Sequence, residues 1–228
     1  AETKEGADEM LTLGYWAIRG LAQPIRYCLE YTGTPYKEDR YTLRPLEGGH
    51  WDRSEWLDVK HKLGLEFPNL PYIKDGDVGI TQSNACLRHV GRKGGLLGAS
   101  PAEEARVDML LDVAMDLRNQ IVGVVYKPKA AYDEALANLL KHVPKTLKTL
   151  EDSMKGDWFC ESGVTVADFP FYELLDQLVL MTSPDIMEPF PKLKAFLARF
   201  EALPAIKAYK ETDKCIVHPI NNLSACFK

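Results

Sequence analysis

The residues with the most chemical content stand in two neighbouring blocks, Phe67-Pro68-Asn69-Leu70-Pro71-Tyr72 and Thr81-Gln82-Ser83-Asn84-Ala85. Pro71 opens the apolar stretch Tyr72-Ile73-Lys74, and a strand start tolerates a missing N–H. An X-Pro bond at such a place is a candidate cis bond, a feature of tight turns. A bend there leaves the N–H and C=O of Leu70 free to pair with another extended chain. Ser83 reads as the cap of a helix whose first amides attract a carboxylate. Together the blocks suit a short peptide, held by its backbone and by a terminal charge.

Such blocks need a scaffold. Leu11–Trp16 reads as a short apolar strand and Pro24–Tyr31 as a helix with proline in its first turn. Tyr36–Tyr41 reads as a second strand, Arg44–His50 as a loop, and Asp52–Lys60 as a short helix. Strands Tyr72–Lys74 and Val78–Ile80 flank Asp75-Gly76-Asp77, a strong hairpin signal. Helix Ser83–Lys93 closes the unit. The order β-α-β-α-β-β-α implies an α/β thioredoxin-like N-terminal domain over residues 11–93. Residues 94–101, from Gly94-Gly95 to Pro101, form a linker, and residues 1–10 read as a flexible extension.

Beyond the linker no strand pattern occurs, so residues 102–228 are expected to form an all-α domain. Its helices are predicted at Pro101–Val125, Tyr132–Met154, Pro191–Leu203 and Pro204–Lys210, with an irregular tail from Cys215. A further helix starts at a capping box, Thr165 with Asp168 three residues on, and runs to about Met181. Its apolar content places it at the centre of that domain. Element order of this kind speaks to fold alone.

The bulk properties narrow the function classes. The chain has 228 residues, 46% hydrophobic and 27% charged, which is ordinary for a globular protein. A net charge of −5 with scattered basic residues argues against a nucleic-acid partner. The five cysteines, Cys28, Cys86, Cys160, Cys215 and Cys226, are odd in number and never spaced C-x-x-C. That fits neither a disulfide framework nor structural zinc, and points to a reducing compartment such as the cytosol. The five histidines are dispersed, so no metal site is expected. No apolar run reaches the roughly 18 residues of a membrane span, and no signal-peptide pattern is present.

Four blocks in order carry a family likeness: Leu13-Gly14-Tyr15-Trp16 with Ile18-Arg19-Gly20-Leu21, Asp52-Arg53-Ser54-Glu55-Trp56-Leu57, Leu63-Gly64-Leu65-Glu66-Phe67-Pro68-Asn69-Leu70-Pro71-Tyr72, and Thr81-Gln82-Ser83-Asn84-Ala85. Phe196-Leu197-Ala198-Arg199-Phe200-Glu201 adds a fifth. With these blocks the chain resembles the cytosolic glutathione transferases, specifically the mu class, from Leu13 to about Pro219.

The resemblance implies an enzyme that conjugates glutathione to apolar electrophiles in detoxification, as a cytoplasmic homodimer, with glutathione as co-substrate and no cofactor. Tyr15, pointing toward the Leu70-Pro71 turn, would donate its hydroxyl to the glutathione sulfur. A hydrogen bond to a charged group is worth about 1.5–3 kcal/mol, enough to lower a thiol pKa by roughly one to two units. No cysteine stands in Tyr15-Trp16-Ala17-Ile18, where redox relatives of the fold carry theirs, so disulfide exchange is not expected. Leu70 and Pro71 would pair with the cysteinyl residue, and Gln82 and Ser83 would take the γ-glutamyl carboxylate. Trp56, Lys60 and Arg53 would serve the glycyl end, with Asn69 beside them and Trp16 and Leu21 adjoining. Asp116 would reach the partner subunit's γ-glutamyl amino group. Phe67 would insert into the partner, and Arg88 would lie near the two-fold axis.

The electrophile pocket implied is Trp16, Ile18, Leu21, Met115, Val122 and Tyr126. Met115, Val122 and Tyr126 share one helix face by spacing, and Tyr126 would donate to charge developing on the substrate. Two departures from the family pattern border this pocket: a long Tyr41–Asp52 loop with Gly48-Gly49, and Asn221-Asn222 where an apolar residue often follows Pro-Ile. The alternative functions of the same fold are a non-catalytic carrier of haem or apolar ligands, and a glutathione-dependent isomerase or peroxidase.

Overall fold

The computed structural model describes residues 10–228, so the expectation for residues 1–9 lies outside the described residues. Among these residues six short strands and eight α-helices follow one another. They are β1 (Leu11–Trp16), α1 (Gln23–Thr32), β2 (Tyr36–Tyr41), β3 (Arg44–Pro45), β4 (Trp51–Asp52), α2 (Ser54–Leu57), β5 (Tyr72–Asp75), β6 (Val78–Thr81) and α3 (Ser83–Lys93). Then come α4 (Pro101–Val125), α5 (Lys129–Ser153), α6 (Asp168–Met181), α7 (Pro191–Glu201) and α8 (Pro204–Lys210).

The main sheet has the order β2-β1-β5-β6. β1 runs parallel to β2 and antiparallel to β5, with Gly14 opposite Tyr72. β1 is buried along nearly its whole length, which explains its apolar sequence, broken only by Thr12. A Cβ on Gly14 would lie 2.0 Å from the Tyr72 ring, so this close crossing requires glycine. β2 carries Lys37, Glu38, Asp39 and Arg40 at the sheet edge, where charge discourages pairing with another chain.

The mixed sheet with its helices, followed by a helical unit, is the thioredoxin-like and all-α arrangement read from the sequence. Four local expectations need correction. The short helix is only α2, because the Asp52 carboxylate accepts the Ser54 N–H at 2.8 Å and delays its start. The chain continues in turns to Lys60, whose N–H reaches the Trp56 carbonyl at 2.9 Å. The loop before it is not wholly irregular: β3 and β4 form a two-stranded ribbon, turned by Gly48 and Gly49 at φ 71° and 78°. Glu55 holds the ribbon through the Arg44 guanidinium and the Thr42 N–H. α5 starts at Lys129 rather than Tyr132, directly after Pro128, and keeps Pro144 in its interior.

The fourth correction concerns the capping box. Asp168 accepts the Thr165 N–H at 2.8 Å, as a reciprocal cap should. The Thr165 hydroxyl donates to the same carboxylate at 3.0 Å instead of accepting a helix N–H. α6 therefore begins at Asp168 and not just after Thr165.

The two units are locked together by α1 on α6 and by buried charge. Tyr27 of α1 meets Tyr172 of α6 and Phe200 of α7 edge-on, at 5.5 and 5.7 Å. Arg19, in the loop after β1, donates to both carboxylate oxygens of Glu173 at 3.0 and 2.7 Å and to Asp176 at 2.5 Å. The tail also bridges the units. The Pro219 and Ile220 carbonyls each accept an N–H at 3.0 Å, from Arg19 and Gly20.

Candidate active site

Tyr15 is the second-last residue of β1 and is 6% exposed. After Trp16 the chain doubles back, with the Ile18 N–H on the Trp16 carbonyl at 2.7 Å. This brings the Leu21 N–H to the Tyr15 hydroxyl oxygen at 3.1 Å. The hydroxyl thereby meets the loop that follows its own strand. Gly20, at φ 45°, makes the approach possible, since a Cβ there would lie 2.7 Å from the hydroxyl oxygen. The oxygen accepts one bond, and among the described residues its own hydrogen has no acceptor. Burial raises the phenol pKa above its ordinary value, partly offset by the Leu21 N–H and the Arg118 charge. The group stays a protonated donor at neutral pH.

The peptide-binding face lies on β5 and α3. The Leu70-Pro71 bond is cis, and Leu70 is buried. Its N–H is not free as expected, because the adjacent Asn69 side chain accepts it at 2.9 Å. Ser83 is not the cap of α3 but its first residue. Gln82 holds the cap position at φ 72°, a left-handed conformation that costs a non-glycine residue about 1–3 kcal/mol. No side chain caps this N-terminus, so its first amides and the positive dipole end face outward unspent.

Trp56 is buried, stacked on Tyr72 at 6.2 Å and tilted on Tyr41 at 5.3 Å. Arg53 and Asn69 are exposed, and Lys60 is half-buried. Ser83 and Asn84 line the cleft between the two units. The Asn84 amide ties α3 to α4 through the Leu111 carbonyl at 3.1 Å.

The cleft gathers part of the expected electrophile pocket. Leu21, Met115 and Val122 line it. Trp16 instead lines a neighbouring groove with His50, Trp51, Arg53 and Asn222. Ile18 is buried behind the wall at 6% exposure, because its loop folds inward under Arg26, whose guanidinium donates to the Ile18 carbonyl at 2.9 Å. Tyr126 is 41% exposed, and its hydroxyl accepts the Asn222 N–H at 3.0 Å. Asp116 is exposed and absent from the lining of its own chain's cleft. Phe67 is 68% exposed, and Arg88 donates to Asp108 at 2.5 Å.

Asn221, read in the sequence as a departure bordering the pocket, lines the cleft, as do Arg118 and Gln177, which the sequence did not single out. Arg118 was legible in principle. It lies three residues after Met115 and four before Val122, a lone cation on an apolar stripe. Burial lowers its pKa, with the neighbouring Tyr15 and Tyr126 opposing that shift. Among the described residues, no three or more His, Cys, Asp or Glu gather as a metal site, and no helix is long and apolar enough to cross a membrane.

Comparison with known proteins agrees over both units. The family model described as Glutathione S-transferase, N-terminal domain, matches residues 11–92, and that for the C-terminal domain matches residues 115–213. Glutathione S-transferase Mu 4 of Mus musculus is 44% identical over 211 residues, 92% of this chain and 94% of its own. Glutathione S-transferase Mu 3 of Homo sapiens is 43% identical over 219 residues, 96% of this chain and 95% of its own. The crystal structure of the glutathione S-transferase Blo t 8 superposes with TM-score 0.85 at 33% identity, over 94% of this chain and 98% of that one. A tyrosine hydroxyl with a free proton beside an uncapped helix and an interdomain cleft is thus set in a chain that belongs to the glutathione S-transferase family, in its mu class.

Proposed function

We propose that Tyr15 donates its hydroxyl hydrogen to the sulfur of glutathione and holds it as the thiolate that attacks an electrophile. Membership of the family makes the chain a transferase that conjugates glutathione. The observation that carries the role of Tyr15 is its hydrogen-bond arrangement. The Leu21 N–H occupies the oxygen, so the remaining hydrogen is left for a ligand. A bond of that kind to a thiolate supplies roughly 1.5–3 kcal/mol, or one to two pKa units. Arg118 adds positive potential at the same place.

In this reading residues 11–93 hold the tripeptide and residues 102–228 bound the electrophile. The uncapped amides of α3, with Gln82 and Ser83, take the γ-glutamyl carboxylate. The cations Lys60 and Arg53, near Trp56 and unpaired among the described residues, face the glycyl carboxylate. Leu70 pairs with the cysteinyl residue after Asn69 gives up its N–H. Leu21, Met115 and Val122 cover an apolar electrophile, with Trp16 and Tyr126 on its open side. Phe67 and Arg88 belong to the contact of a homodimer, across which Asp116 completes the partner's glutathione site. Five free cysteines, three of them buried, suit work in the cytoplasm.

The test is conjugation of glutathione to 1-chloro-2,4-dinitrobenzene against pH, in the wild type and Tyr15→Phe. The expected wild-type profile has an apparent pKa one to two units below free glutathione, lost in the variant with little change in glutathione affinity. Unchanged turnover in Tyr15→Phe would remove Tyr15 from the mechanism.

A further inference from the structure

Two donors of the cleft lining, on Arg118 and Gln177, lack hydrogen-bond partners among the described residues. Arg118 has no carboxylate or carbonyl partner among the described residues, although it is partly buried. Gln177 of α6 is 5% exposed, and its amide nitrogen is buried without a hydrogen-bond partner. The acid of the lining, Glu173, has both oxygens on Arg19. Leu21, Met115, Val122 and Leu174 supply apolar walls around these groups.

A guanidinium with its water partly removed and no counter-charge is destabilised until an anion reaches it. A planar carboxylate can take both of its paired N–H donors at once. We propose that this cleft selects electrophiles bearing a carboxylate, which Arg118 holds while the Gln177 amide gives a second donor. The apolar body then lies against Met115 and Val122, with its reacting carbon toward Tyr15. The proposal rests on the transferase reading above and names the substrate class for that site.

The experiment compares 4-chloro-3-nitrobenzoate with 4-chloro-3-nitrobenzamide. In both, the glutathione sulfur forms the new bond to carbon and chloride leaves with the carbon–chlorine pair. Each kcat/KM is divided by the uncatalysed rate with glutathione. The wild type is expected to favour the benzoate by at least about tenfold, the scale of one charge-assisted bidentate contact. Arg118→Gln should erase that ratio through KM for the benzoate, Arg118→Lys should keep part of it, and Gln177→Leu should lower it a few-fold. A loss common to both substrates reports on the thiolate and cancels in the ratio. A wild type without preference, or a ratio unchanged in Arg118→Gln while both rates fall, would overturn the proposal and leave Arg118 to the thiolate alone. Absence of turnover even with 1-chloro-2,4-dinitrobenzene would overturn the transferase reading itself.

Discussion

Arg19 and Glu173 face each other across the two units, 154 residues apart in sequence, through two hydrogen bonds of 3.0 and 2.7 Å. Asp176 shares the same guanidinium, so one cation balances two acids in a buried place. The loop that Arg19 anchors is the one whose Leu21 N–H meets Tyr15.

Removing the cation should therefore cost stability and blur the site. Arg19→Gln leaves two acids unbalanced, and breaking such a pair costs about 3–5 kcal/mol. Burial already raises the Glu173 pKa in the intact protein, with Arg19 opposing the rise. Without Arg19 the rise is larger, so the native acid takes up a proton that the unfolded chain releases. The deficit relative to wild type should be full at pH 8 and shrink as pH falls toward 5. Thermal unfolding at fixed protein concentration checks this; a deficit independent of pH would exclude Glu173 as its cause.

At Gln82 stability and binding should part. Its left-handed backbone suits glycine, so Gln82→Gly should relieve about 1 kcal/mol of strain and hold or raise the melting temperature. The same change removes the side chain expected on the γ-glutamyl group, and KM for glutathione should increase several-fold. A lower melting temperature with unchanged KM would reverse both assignments.

Phe67, at 68% exposure, is a large apolar side chain presented to water. Such a group signals a partner surface. Phe67→Ser should convert a dimer to monomer in sedimentation at micromolar concentration, while leaving far-UV circular dichroism unchanged. A monomeric wild type would dismiss Phe67 as an anchor.

Asp168 offers a pH signature. Burial pushes its carboxyl up to about 6, although the Phe159 and Thr165 N–H groups and the Thr165 hydroxyl bind its charged form. The folded protein thus holds this proton at a pH where the unfolded chain has released it. Its contribution to stability is full below about pH 4 and is lost as pH rises through about 6, by about 3 kcal/mol. The margin of wild type over Asp168→Asn, which does not titrate, should widen as pH drops from 7 to 4.5. A margin that narrows over that range would show the carboxyl held as the charged form instead.

What the sequence discloses follows the range of the physics. The β1 strand, the Asp75-Gly76 hairpin, α3 and the long α4 are written in local patterns, and they lie where those patterns place them. The β3–β4 ribbon escapes because its support is tertiary, with Glu55 reaching back to Thr42 and Arg44. The positive φ of Gln82 leaves no mark in residue type, so Ser83 reads as the cap. The partner of the Tyr15 hydroxyl depends on how the Trp16–Gly20 loop folds back, which spacing does not encode. Met115 and Val122 share a helix face by their period, and the family resemblance is what marks that face as the pocket. Arg118 interrupts that period, and an exception on a regular face is where chemistry is to be sought.

Gly20 lies against the phenol so closely that the position has no room for variation. Any screen that randomises it will return chiefly the parent residue, whatever substrate is offered. Evolution and protein engineering alike must then broaden the repertoire from the opposite wall, at Met115, Val122 and Arg118 on α4. The glutathione-activating half of the site stays fixed while the substrate-facing half is free to diversify.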